Sequence, residues 1–304
     1  MGAVQSLPQE LIDHIIDHII DLSRGTEHLK ALSRVSTAWR ARSQYHIFKK
    51  CTLNIGKLEE IYSEISKPAG TSASQERISI LFSYTHRLRI DGGNFHPRWR
   101  RHRAYLKIFH LFINVTDLRI YSWDFGTFET SDLFDLFAPL GETVTTLDIT
   151  DCVDNSAVLI FLKSLFPRVN DFRVCSRRSE HLARNYRIQE PHLSRRVEFR
   201  GKLAFYHLDG QHDGFLAFVG KNCSGVHSII VRDCKGVGEL RELFFGCQAS
   251  KLTSVDFGSS RLENRISKFT HVRTGRHSAH VVPPSLRPSL ILHSAPNLIN
   301  PLSD

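Results

Sequence analysis

Apolar and polar residues alternate in the segment Val144-Thr145-Thr146-Leu147-Asp148-Ile149-Thr150-Asp151-Cys152. Such alternation is typical of a β-strand with one buried face. The same shape recurs at Val115-x-x-Leu118-x-Ile120, Val169-x-x-Phe172-x-Val174, Val226-x-x-Ile229-x-Val231 and Leu252-x-x-Val255-x-Phe257. Weaker copies centre on Leu88-Arg89-Ile90 and Val197-Glu198-Phe199. The recurrence predicts an architecture built from one repeated unit.

The spacing of these copies indicates the length of the unit. Successive central positions are 25 to 32 residues apart, which overlaps the period of about 20–29 residues of leucine-rich repeats. These positions are Leu88, Leu118, Leu147, Phe172, Val197, Ile229 and Val255. Helix-like stretches lie between them, at 105–109, 133–137, 158–162 and 240–244. Each unit would consist of a strand, a turn, a helix and a connection to the next strand. Such a unit can bury its apolar face only against the neighbouring units.

Two copies complete the leucine-rich-repeat consensus L-x-x-L-x-L-x-x-[NC] at its last position, with Cys152 and Cys234. Residues 51–260 therefore resemble a leucine-rich-repeat α/β solenoid with degenerate repeats. The alternative is an ordinary α/β domain in which the spacing is a coincidence. The resemblance implies that both cysteines are buried turn residues, which need neither form a disulfide nor bind a metal.

Residues 7–50 are predicted to form a compact helical unit. Pro8 suits the first turn of a helix, and the next apolar residues form one stripe: Leu11, Ile12, Ile15, Ile16, Ile19 and Ile20. The stretch 23–26 breaks this helix. A second amphipathic helix is predicted from Leu29, Leu32, Val35, Ala38 and Trp39. We expect Trp39 to end that stripe and to pack against the first helix.

The ordered pattern Leu7-Pro8-x-Glu10-Leu11-Ile12-x-x-Ile15-Ile16, then a break, then Leu29-x-x-Leu32-Ser33-x-Val35-Ser36-x-x-Trp39-Arg40, resembles an F-box of the fungal type. The resemblance implies a small three-helix domain that docks on the Skp-type adaptor of an SCF (cullin–RING) ubiquitin ligase. It also implies the adaptor-binding residues, some of which would pack inside the domain: Leu7, Pro8, Leu11, Ile12, Ile15, Ile16, Leu32, Val35 and Trp39.

Composition distinguishes the two ends of the chain. Residues 1–6 form a short leader that matches a myristoylation pattern, but Leu7-Pro8 follow at once, so acylation of Gly2 is not favoured. The chain has 304 residues, with 40 Lys+Arg against 31 Asp+Glu and a net charge of +9. Residues 261–304 form a basic, Pro-rich tail that holds five of the 11 prolines. We expect this tail to be disordered, since it has too few apolar residues to form a core.

The cellular compartment is predicted from the cysteines and from the absence of long apolar runs. The six cysteines form no CxxC motif, which favours reduced thiols in a chain of this length. No signal-peptide core and no apolar run near 18 residues occur in the sequence. We therefore expect an intracellular protein, in the cytoplasm or the nucleus or both, with no transmembrane segment.

The sequence assembles no active site, so we expect a protein that is not an enzyme and that has no cofactor. His14 and His18 could meet at one metal ion on a helix, but no third ligand accompanies them, and a solvated helix face explains them. Basic residues flank aromatic ones at 98–107, and a looser basic set spans 173–200. Such clusters suit nucleic-acid binding, although solvated loops or a patch for an acidic protein explain them more simply.

Two functional interpretations follow from these patterns. The leading one is a substrate receptor: the F-box holds the adaptor, and through it a cullin, while the repeats hold an unknown protein substrate. The alternative is a basic repeat protein that binds nucleic acid or an acidic protein partner, with the N-terminal helices serving only to cap the array.

Overall fold

The computed structural model describes residues 7–22, 26–66, 72–92, 108–123, 125, 130–152, 156–176, 197–208, 212–234, 240–247 and 252–257. All of these belong to one compact unit, Met1–Ser259. The myristoylation pattern, the basic residues at 98–103 and 107, most of the looser basic set and the C-terminal tail lie outside the described residues.

The described chain begins with the helices α1 (Gln9–Leu22), α2 (Glu27–Val35) and α3 (Thr37–Phe48). They share a core that is made of Ile12, Ile16 and Leu29, with Ile20, Leu32, Ala38, Trp39 and Ile47 packed around it. The expectation that Trp39 packs against the first helix is therefore confirmed, although the indole is only half-buried.

The predicted second helix is wrong in one respect, because the structure divides it in two. Ser36 is extended, with φ −159° and ψ 171°, so α2 ends at Val35 and Ser36 takes the N-cap position of α3. Trp39 consequently lies in the first turn of α3 and does not end α2. The apolar spacing hides this break, since residues on both sides of Ser36 face the same core.

Within the described residues, eight strands form one sheet in which every neighbouring pair is parallel. The strands are β1 (Lys50–Leu53), β2 (Arg87–Asp91), β3 (Asp117–Tyr121), β4 (Thr146–Thr150), β5 (Asp171–Cys175), β6 (Arg200–Tyr206), β7 (Gly225–Arg232) and β8 (Ser254–Phe257). Their order in the sheet is their order in the chain. The prediction of a mixed α/β fold is confirmed at this level.

Within the described residues, α-helices lie in the connections β1–β2, β3–β4, β4–β5, β6–β7 and β7–β8. They are α4 (Ile55–Ile65), α5 (Ser72–Ser83), α6 (Thr130–Phe137), α7 (Ser156–Leu165), α8 (Asp213–Lys221) and α9 (Leu240–Gly246). The helix-like stretches predicted at 133–137, 158–162 and 240–244 fall within α6, α7 and α9, which confirms them. The stretch at 105–109 lies mostly outside the described residues, and a 3-10 turn occupies 108–111.

One face of the sheet is buried and the other is open. Leu88 and Ile90 of β2 are fully buried, whereas their neighbours Arg87, Arg89 and Asp91 are partly exposed, and β3, β4 and β5 alternate in the same way. Each strand is added at the same edge, and crossovers between parallel strands share one hand. The connecting helices therefore lie on one face, and the opposite face keeps its polar side chains.

The predicted position of the sixth strand is wrong. Leu203, not Val197, pairs with Phe172 and with Ile229, so the true intervals on either side are 31 and 26 residues. Val197 is buried but precedes the strand, which is why its pattern resembled one. The ladder contains an irregularity between Gly201 and Lys202, and Gly201 has a φ of +72°.

The turn after a strand has a recurring geometry. Residues with left-handed backbone follow β3, β4, β6 and β7: Ser122, Asp151, His207 and Asp233. Cys152 follows Asp151. Its sulfur accepts a hydrogen bond from the Trp123 N–H at 3.4 Å and lies 3.6 Å from the Ile120 carbonyl oxygen. Cys234 contacts the Phe205 carbonyl at 3.8 Å in the same manner. Both are buried turn residues, as expected.

Candidate functional site

Helix α1 carries two apolar faces. Ile12 and Ile16 point into the core and are 4% and 0% exposed. Leu11 and Ile15 lie on the other face and are 50% and 39% exposed, and Leu7, just before the helix, is 51% exposed. We call these three residues the α1 patch. The Pro8 carbonyl accepts from the Leu11 and Ile12 N–H groups, which fixes where the helix begins.

Burial divides the nine predicted adaptor-binding residues into two groups. Exposed members are Leu7, Pro8, Leu11, Ile15 and Val35, the last 66% exposed at the end of α2. Core members are Ile12, Ile16, Leu32 and Trp39. Single exposed apolar residues are normal on protein surfaces, but the three residues of the α1 patch, two in α1 and one just before it, form a surface suited to an apolar partner.

An ionic contact fixes α1 against α3. The Arg42 guanidinium donates to both oxygens of Asp17, at 2.9 and 2.7 Å, and His46 Nε2 lies 2.8 Å from the same carboxylate. Hydrogen bonds from Arg42, assisted by His46, hold the pKa of Asp17 at about 2. Asp17 is thus engaged between two helices, which sets the orientation of the α1 patch.

The candidate metal residues on α1 do not form a site. His14 and His18 are both exposed, and the Asp17 between them is committed to Arg42 and His46. Across the described parts of the chain, no three His, Cys, Asp or Glu side chains converge on a point that could hold a metal ion.

The open face of the sheet is the second candidate surface. Parallel register aligns the residues of this face, most of them polar, in rows that cross the strands; Ala204 is an apolar and buried exception. One row is Lys50, Arg87, Asp117, Thr146, Asp171, Lys202, Ser228 and Ser254. The next is Thr52, Arg89, Arg119, Asp148, Arg173, Ala204, Ile230 and Asp256. A third is Asp91, Tyr121, Thr150, Cys175, Tyr206 and Arg232. We call these rows the open face.

Charges on the open face largely neutralise one another. Arg119 donates to both Asp117 oxygens at 3.1 Å, and Arg87 donates to the same carboxylate. Arg173 binds both oxygens of Asp171 in the same way, at 3.0 and 2.6 Å. Burial raises the pKa of Asp117, but the hydrogen bonds from Arg119 and Arg87 outweigh it and lower that pKa overall.

Other groups on this face make similar local contacts. The Arg89 guanidinium lies 3.9 Å from the centre of the Tyr121 ring, and Arg232 pairs with Asp256. Apart from Arg173, which belongs to the looser basic set at 173–200, the residues of the open face were not predicted as a site. The available signal was the polar position between the apolar ones in each copy, which holds Arg119, Asp148 and Arg173 in three successive strands.

Comparisons with known proteins give no family: the chain matches no protein-family model and no curated protein.

None of the helices in the described segments is long and apolar enough to cross a bilayer.

Proposed function

We propose that the protein is the substrate-recognition subunit of an SCF-type ubiquitin ligase. Its helices α1 to α3 would dock on a Skp-type adaptor in the manner of an F-box, and a cullin would join through that adaptor. The supporting observation is the division of α1 into a buried stripe and the exposed α1 patch, at the positions that the F-box resemblance assigns to adaptor binding.

The sheet would then be a leucine-rich-repeat-like solenoid that holds a protein substrate. Three features support this finer classification: the strands follow chain order, left-handed residues recur after four of them, and Cys152 and Cys234 bond back to the preceding unit. Solenoids of this type present one side of their sheet to a partner. In this protein the open face would be the side that contacts the partner. It would recognise the substrate without making or breaking covalent bonds.

The pairing of charges favours a protein substrate over nucleic acid. Binding to a phosphate backbone needs cationic side chains that can neutralise phosphates. Arg87, Arg119 and Arg173 instead donate to Asp117 and Asp171. A patterned surface with both signs of charge gives specificity toward a complementary protein. On this proposal the protein acts in the cytoplasm or nucleus, by bringing a substrate close to the ligase's catalytic subunits.

Co-purification with a Skp-type adaptor tests the proposal. The double substitution Leu11→Arg and Ile15→Arg places two charges on the α1 patch without touching Ile12 or Ile16. Interface anchors commonly contribute about 2 kcal/mol or more, so we expect binding to weaken by about 30-fold or more. Circular dichroism and thermal melting should be unchanged, because both side chains are at least 39% exposed.

Ile113→Arg is the matched control, since Ile113 is 58% exposed and lies just before β3, outside the α1 patch. That variant should keep the adaptor. Equal adaptor binding by the wild-type protein and the folded double variant would contradict the F-box proposal. Salt-sensitive retention of nucleic acid together with absence of adaptor would favour the basic repeat protein.

A further inference from the structure

Two thiols meet beside the ends of α8 and α9. Cys223 follows α8 by two residues and Cys247 follows α9 directly. Their sulfur atoms are 2.8 Å apart, and the two residues are 3% and 1% exposed. The proposed function makes no use of this pair.

Close packing of the two helices brings the thiols together. A Cβ built on Gly246 would lie only 1.6 Å from the Gly220 carbonyl oxygen, so the backbones touch at a place where a side chain cannot fit. Gly246 immediately precedes Cys247, and the Cys223 thiol lies 3.2 Å from the same Gly220 carbonyl. The backbone segments that carry the two thiols therefore have little freedom to move apart.

The geometry suits a sulfur–sulfur bond and does not suit a shared metal ion. Two thiolates at about 2.3 Å from one tetrahedral zinc ion are about 3.8 Å apart, so this pair is too close to hold one. Cys247 donates its S–H to Cys223. That hydrogen bond lowers the pKa of Cys223 and raises that of Cys247, which makes Cys223 the better nucleophile of the two.

We propose that Cys223 and Cys247 are an oxidative modification site, converted to a disulfide by an oxidant of the peroxide class. The Cys223 sulfur attacks one peroxide oxygen, the O–O bond breaks, and a sulfenic acid and one water form. The Cys247 sulfur then attacks the Cys223 sulfur and displaces the hydroxyl as a second water. Two thiols and one hydrogen peroxide thus give one disulfide and two waters, and a dithiol reductant reverses the change.

The bond would join consecutive strand–helix units near the last described strand. It would link the turn before β7 to the residue after α9, so the loop that it closes contains both β7 and α9. Cys234, by comparison, contacts the backbone carbonyls of Phe205 and Arg232.

Peptide mapping of the full-length protein tests the proposal. The protein is treated with hydrogen peroxide, alkylated after denaturation and digested with trypsin. Cleavage after lysine and arginine separates the six cysteines, with Cys223 in peptide 222–232 and Cys247 in peptide 242–251. We expect these two peptides to be recovered joined, lighter by two hydrogens than their sum, and to separate on reduction with dithiothreitol.

Cys234→Ser is the matched control, because it removes a buried thiol other than the two of the proposed bond, and the linked peptides should persist. Cys247→Ser should abolish the link and leave a Cys223 sulfenic acid that dimedone traps. If that variant does not fold, peptide mapping of the wild type still decides. Separate alkylation of both peptides after peroxide treatment, or a link from either one to a different cysteine, would overturn the proposal.

Discussion

Lys163 is a cation placed inside the protein. It lies on α7 and is only 2% exposed, with its Nζ donating to the Phe166 carbonyl at 3.2 Å. The Phe199 ring centre is 5.8 Å away. Burial, assisted by the nearby Arg200, lowers the pKa of Lys163 to about 8. One carbonyl and one ring do not replace the water that the ammonium loses, so the residue destabilises the fold when it is charged.

We expect the substitution Lys163→Met to stabilise the protein. In the unfolded chain the lysine keeps its proton up to about pH 10.5, whereas in the folded state it loses it near pH 8. The unfolded state therefore binds more protons between these values, and wild-type stability should rise across that window. We expect the variant to gain up to about 3 kcal/mol at pH 7, with the gain disappearing toward pH 10.5.

Urea unfolding at several pH values measures this difference, and Lys221→Met is the control because Lys221 is an exposed lysine on α8. The control should change little at any pH. Equal free energies of unfolding for wild type and Lys163→Met at pH 7 would show that contacts inside the folded protein compensate for the water that the buried ammonium loses.

At the scale of the element, strands were more predictable than helices. A strand with one buried face needs only an alternation of apolar and polar residues. This alternation correctly predicted the positions of β2, β3, β4, β5, β7 and β8. Helices α4, α5 and α8 were not identified. α5 reads SASQERISILFS, in which polar residues occupy the first half and no regular apolar spacing appears. Its position depends on contacts with α3 and α4, which lie outside its own sequence.

Strand β6 lies further along the chain than predicted, and one residue, Gly201, accounts for the difference. Gly201 adopts a φ of +72°, and a Cβ there would lie 2.1 Å from the Asn170 carbonyl oxygen. The Lys202 N–H instead donates to that oxygen at 2.7 Å. The irregularity lets the chain enter β6 after Phe199, so the apolar alternation at 197–199 belongs to the connection. A single sequence contains no sign of this bend except the glycine itself.

The prediction for this element is that Gly201→Ala destabilises the protein by at least about 2 kcal/mol. The left-handed backbone disfavours any residue with a Cβ, and the contact with backbone at Asn170 cannot be relieved by a side-chain movement. Chemical denaturation measures the loss. Gly56→Ala is the control, since its added Cβ meets only the Asn54 side chain at 3.7 Å and lies in α4, where alanine is favoured. Similar midpoints for the two variants would mean that the backbone at 201 relaxes freely.

At the scale of the whole molecule, the candidate surfaces depend on different kinds of information. The α1 patch could be predicted only in part from the sequence, because helical spacing places Leu11 and Ile15 together but does not separate them from the buried Ile12 and Ile16. The open face could not, since its rows exist only once the register of neighbouring strands is known. The contact between Cys223 and Cys247 was equally hidden, because it depends on the approach of Gly246 to Gly220.

The sequential sheet also predicts that stability depends on position in the array. Each strand pairs only with the one before and the one after it, so an inner strand is supported on both sides and a terminal one on one side. Leu147 of β4 pairs with Leu118 and Phe172 and is fully buried. Val255 holds the same position in β8, pairs only with Ile229 among the described residues, and is 41% exposed.

We therefore expect Leu147→Ala to destabilise the protein by about 2–5 kcal/mol, as for a leucine removed from a packed core. Val255→Ala should lower stability by less than about 1 kcal/mol, because much of its side chain already contacts water. Urea unfolding of both variants measures these losses. Hydrogen exchange adds a readout for each strand: amides of β8 should exchange before those of β4. If Val255→Ala were as damaging as Leu147→Ala, the inference that Val255 is weakly packed would be wrong.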